Sequence, residues 1–60
     1  MNSPKLVISE VKAELLALFY SLKTGSECNI YFHSIDKKGY WNFKITRWND
    51  GKDEELYKNY

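Results

Sequence analysis

The chain has 60 residues, 43% hydrophobic and 28% charged, with a net charge of +1 and one cysteine. That length holds one small domain, residues 1–60, and no second. Cys28 has no partner for an intrachain disulfide, and with His33 as the only imidazole a three- or four-ligand zinc site is out of reach, so neither metal nor cofactor is expected. A domain this small buries only about 60% of the surface its unfolded chain exposes, which leaves oligomerisation as the common remaining source of stability.

The single thiol fits a reducing compartment. The opening Met1-Asn2-Ser3-Pro4-Lys5 lacks the basic and apolar regions of a secretory leader, so a cytoplasmic location is expected. The most apolar window, Leu6 to Leu22, is interrupted by Glu10, Lys12 and Glu14, and no membrane span is expected. Lysine outnumbers arginine, and Asn and Tyr are frequent, a bias that suggests an AT-rich genome.

Taken in chain order, Ser3-Pro4 is a helix entrance, with Ser as cap and Pro at the first helical position, and Lys23-Thr24-Gly25 is an exit. A helix from about Pro4 to Lys23 follows. At 100° per residue, Ile8, Val11, Leu15, Leu18, Phe19 and Leu22 form one broad stripe, which is expected to cover the core. Leu6, Ala13, Leu16, Ala17 and Tyr20 form a second apolar flank, more than one small sheet can cover.

From Asn29 the period becomes two and the residues aromatic or β-branched. Asn29 to Ile35 and Tyr40 to Trp48 read as strands around the turn Asp36-Lys37-Lys38-Gly39. Pairing Ile35 with Tyr40 sets Phe32 opposite Phe43 and Ile30 opposite Ile45 on one face. Tyr31 opposite Lys44, His33 opposite Asn42 and Ile35 opposite Tyr40 then share the other. Asp50-Gly51 favours a two-residue type I′ hairpin, and Asn49 opposite Lys52 puts Arg47 against Glu54, Ile45 against Leu56 and Trp41 against Tyr60. A short terminal helix over 53–60 is the rival reading of this last segment. The fold class is α+β: an N-terminal helix on a small antiparallel meander, αββ or, with the third strand, αβββ. Ile30, Phe32, Trp41, Phe43, Ile45 and Leu56 are the expected core partners of the helix stripe.

Catalysis has little to build on. Cys28 and His33 fall on opposite strand faces, the glycines mark turns and caps, and the carboxylates are adjacent or in turns. One constellation, His33, Lys44, Tyr31 and Tyr57, has the residue chemistry of a small metal-independent ribonuclease, but an ordinary solvated sheet face is the better explanation of it. The expected protein is therefore not an enzyme.

Protein interaction accounts for more of the residues. Leu6, Ala13, Leu16, Ala17 and Tyr20, with small residues at i, i+4, are the expected homodimer interface, unless the C-terminal segment folds back so that Leu56 and Tyr57 cover Leu16 and Tyr20. Tyr31, His33, Ile35, Tyr40, Lys44, Trp48 and Tyr57 are the expected partner-binding face, rich in the Tyr and Trp that anchor interfaces. The same aromatic and basic face could stack bases, so a single-stranded nucleic-acid binder is the alternative, against which a net charge of +1 weighs. In size and character alone the chain resembles the small accessory proteins of phages and other mobile elements that bind and inhibit a host protein. A small, regulatory, homodimeric protein-binding module is the expected function.

Overall fold

A computed structural model describes residues 3–60; Met1 and Asn2, part of the opening segment read above for a leader, lie outside them. The element order is α1 (Pro4–Thr24), β1 (Cys28–Ile35), β2 (Trp41–Asn49) and β3 (Lys52–Lys58). The strands form one antiparallel sheet in the order β1-β2-β3, and α1 packs on it across β1 and β2. The αβββ expectation holds, and the terminal segment is a strand rather than a helix.

Local chemistry explains the boundaries. The Ser3 hydroxyl accepts the Leu6 amide at 3.2 Å, Pro4 occupies the first turn, and Gly25 closes the helix at φ 72°, its amide donating to the Ser21 carbonyl at 2.9 Å. In the β1–β2 turn, Asp36 Oδ1 accepts the amides of Lys38 and Tyr40 at 2.9 and 3.0 Å. Asp50 and Gly51 both take positive φ, 52° and 79°, the conformation a type I′ hairpin requires.

The expected register holds at Ile30 with Ile45, Tyr31 with Lys44, Phe32 with Phe43, Arg47 with Glu54 and Asn49 with Lys52. Two irregularities shift the rest. His33 is an extra residue in β1, so Ser34 meets Asn42 and Ile35 meets Trp41, in place of the expected His33–Asn42 and Ile35–Tyr40 pairs. Leu56 is an extra residue in β3, so Tyr57, not Leu56, stands opposite Ile45. Beyond β3 the Asn59 side chain stands in for strand backbone: Oδ1 accepts the Phe43 amide at 2.8 Å and Nδ2 donates to the Trp41 carbonyl at 3.2 Å. That position had been expected to pair Trp41 with Tyr60.

The helix turns the opposite way from the expectation. Its inward side carries Ser9 and Ala13, both buried, with Leu16, Ala17 and Tyr20 packed against the Phe43–Ile45 core and Leu6 half-buried. The stripe expected to cover the core, Ile8, Val11, Leu15, Leu18, Phe19 and Leu22, faces away and stays 47–77% exposed. The reason is volume. Phe43, Trp41 and Tyr57 pack into the layer between helix and sheet, Phe43 and Tyr57 with ring centroids 5.6 Å apart, so the helix can approach only with small residues at 9, 13 and 17. Phe32, expected in the core, instead stays 42% exposed on edge strand β1, its ring 5.1 Å from Trp41 and 6.3 Å from Phe43.

Candidate interaction surfaces

The inward turn of α1 commits most of the expected dimer interface to the chain's own core, burying Ala13 and half-burying Leu6, Leu16, Ala17 and Tyr20. Ala13 is fully buried and Leu16, Ala17 and Tyr20 are spent on the chain's own core, with Tyr20 and Tyr57 ring centroids 6.5 Å apart. The fold-back considered above is what occurs for Tyr57, delivered by β3. The surplus apolar surface is the outer face of α1, where Ile8, Val11, Lys12, Leu15, Leu16 and Phe19 line a shallow groove of about 540 Å³. Val7, outside the groove, is also 44% exposed. A signal for this face was present in the sequence: Ile8, Val11, Leu15, Leu18 and Leu22 recur at intervals of 3, 4, 3 and 4, while Ser9, Ala13 and Ala17 mark a small-residue ridge on the other side.

The partner-binding face is brought together only in part. Tyr31 and Lys44 pair directly on the sheet face away from the helix, Lys44 Nζ lying 5.6 Å from the Tyr31 ring centre, and alternation along β2 puts Trp48, 65% exposed, on that face too. His33 reaches the same side from its bulge and stacks on Tyr60 at 4.3 Å, a ring over which Lys58 Nζ lies at 4.6 Å. Lys58 and Tyr60 were missing from the expected set. Three of its members belong elsewhere. Ile35 pairs with Trp41 on the helix side, Tyr40 lies beside the start of α1 with Lys5 Nζ 5.8 Å from its ring, and Tyr57 packs on Phe43. Losing Tyr57 also splits the ribonuclease-like constellation of His33, Lys44, Tyr31 and Tyr57 between two faces.

The open face is electrically balanced. Lys44 and Lys58 are matched by Asp53 and Glu55, which the register places on the same side opposite Trp48 and Thr46. On the helix side, Glu54 Oε2 receives the Asn49 side-chain amide at 2.9 Å and Arg47 Nη2 at 3.4 Å, and these donors, Asn49 first, hold its carboxyl below the usual glutamate range.

A second depression, about 400 Å³, lies between α1 and the β1–β2 turn, lined by Ser9, Lys12, Asp36, Lys38, Tyr40, Trp41 and Asn59 among others. Three of its polar side chains are engaged in the fold. Ser9 Oγ accepts the Trp41 amide at 2.9 Å, Asp36 holds turn amides and Asn59 holds the Phe43 amide. The amide of Tyr40 foremost keeps the Asp36 carboxyl below its ordinary value. The Cys28 thiol points to the Ser26 carbonyl at 3.6 Å, at the opposite end of β1 from His33. Among the described residues no helix is long and apolar enough to cross a membrane, and no three of His, Cys, Asp and Glu gather as metal ligands.

No protein-family description, curated protein or solved structure matches this chain.

Proposed function

We propose that this protein is a small non-enzymatic interaction module whose contact surface for another protein chain is the outer face of α1. One observation carries the reading: six large apolar side chains from Ile8 to Leu22 project away from the core along nearly the whole helix. Monomeric soluble proteins rarely leave a contiguous apolar patch of more than a few hundred Å² in water. The chain exposes 4487 Å², against about 4,100 Å² for a globular monomer of its mass. In the cleft beside α1, Ser9, Asp36 and Asn59 are occupied by the fold itself, which favours binding over catalysis there. A regulatory role, in which a chain of mobile-element size and character inhibits a host protein in the cytoplasm, falls to a separate surface, the open sheet face with exposed Tyr31 and Trp48.

A second reading has one observation in its favour. His33 stacked on Tyr60, with exposed Tyr31 and Trp48 beside two lysines, offers surfaces on which unpaired bases could stack. Asp53 and Glu55 on that face oppose the phosphate attraction that such binding depends on, and the interaction reading stands first.

The two are separated by the Leu15→Glu/Leu18→Glu double variant and a labelled single-stranded oligonucleotide. The interaction reading expects the variant to retain its circular dichroism and cooperative unfolding, because neither side chain is in the core, and the wild-type protein to ignore the oligonucleotide at low salt. An unfolded variant, or oligonucleotide binding that high salt releases, counts against it.

A further inference from the structure

We infer that the chain seated on the outer face of α1 is a second copy of this protein, its helix running parallel to the first about a two-fold axis. The inference rests on the contact-surface reading above and names the partner. Ile8, Val11, Leu15, Leu18 and Leu22 follow the alternating spacing of three and four residues that two-stranded coiled coils use. All five side chains face outward, and the sheet lies on the opposite side of the helix, where it does not obstruct a second helix. With Phe19 they present on the order of 700 Å² per chain, close to the ~800 Å² that each partner contributes to a standard stable interface. The helix spans 21 residues, long enough for five such layers.

Charge selects the orientation. At 100° per residue, Lys5, Lys12 and Lys23 lie along one edge of the apolar stripe, and Glu10 and Glu14 along the other. When two such helices run parallel about a shared two-fold axis, the lysine edge of each lies beside the glutamate edge of its partner; antiparallel pairing sets like edges together. The parallel arrangement also stacks each seam residue on its own counterpart, Ile8 on Ile8 and Leu22 on Leu22. Both open sheet faces then point outward.

The test uses the full chain in a Cys28→Ala background, with Ile8→Cys and Leu22→Cys made separately and circular dichroism confirming the fold. In parallel dimers, mild oxidation links each variant to its own kind, and at least ten times more dimer forms than from a control carrying Glu10→Cys. If disulfide-linked dimer forms only when the two variants are mixed, the helices are antiparallel and the inference is overturned. If wild-type protein at about 100 µM, where any dimer of micromolar Kd is assembled, has the mass of one chain, the second copy is overturned. That result leaves the contact-surface reading to be judged by the folding of the Leu15→Glu/Leu18→Glu variant, so the two failures are distinguishable.

Discussion

The hydroxyl of Ser9 on α1 accepts the backbone amide of Trp41 at the start of β2, 2.9 Å away, while donating to the Lys5 carbonyl at 2.9 Å. This one small side chain, 4% exposed, joins helix to sheet. Ser9→Ala keeps the close approach and leaves the Trp41 amide without a partner. The expected loss is about 1 kcal/mol, after the better helix propensity of Ala offsets part of the orphaned amide. Urea unfolding at fixed protein concentration checks it, and an unchanged midpoint would mean that the hydrogen bond does not hold the layers.

Tyr57 and Leu56 exchange the roles their sequence positions suggest. Tyr57 packs on Phe43 at 5.6 Å and on Tyr20 at 6.5 Å, whereas Leu56 is the extra residue of the β3 bulge. Tyr57→Ala is expected to cost about 2–4 kcal/mol, as removal of a large packed side chain does, and Leu56→Ala less than half as much. Equal losses, measured by the same denaturation, would place Leu56 in the core as the uninterrupted register had it.

These two residues show where the sequence was legible. Asp50-Gly51 and Asp36 to Gly39 carry their turn geometry in their own side chains and dihedrals, so both hairpins could be read directly, with the adjoining pairs Asn49–Lys52 and Arg47–Glu54 at the second turn but not at the first, where Ile35 meets Trp41 instead of Tyr40. The bulges at His33 and Leu56 have no such local cause. Each changes the face of the residues beyond it. The helix had two apolar stripes, and hydrophobicity alone favoured the larger one for the core. What reversed the choice was the aromatic volume of the sheet, which admits Ala13 and Ser9 and excludes Leu15 and Phe19. The interaction surface was therefore visible as a pattern but was assigned to the wrong side of the helix.

Thr46 is 2% exposed and its hydroxyl has no hydrogen-bond partner. Replacing it by the near-isosteric Val removes an unsatisfied buried polar group without opening a cavity, and Thr46→Val is expected to stabilise the domain by about 0.5–1 kcal/mol. Thermal unfolding of the variant beside wild type checks the sign. A clear destabilisation would show that the hydroxyl is satisfied in solution.

Acid is expected to weaken both hairpins. The Asp36 carboxyl is held below its ordinary value by the Tyr40 amide foremost, and Glu54 below its ordinary 4.5 by the Asn49 side chain and then Arg47. A carboxyl lowered on folding contributes stability above its unfolded value and loses that contribution as pH falls through the folded one. The wild-type melting temperature should therefore fall as pH drops below about 4.5, and more steeply than that of an Asp36→Asn/Glu54→Gln variant, which keeps acceptor oxygens but cannot titrate there. Parallel melting curves for the two proteins between pH 7 and 3 would contradict the assignment.

The central claim, that a second copy of this chain covers the outer face of α1, is tested most directly by light scattering across a dilution series of wild type and Leu15→Glu/Leu18→Glu. The account predicts that wild type has twice the 7.1 kDa chain mass and dissociates on dilution, and that the variant is a folded single chain throughout. A wild-type protein that is a single chain at every concentration, or a variant that associates as wild type does, would contradict it.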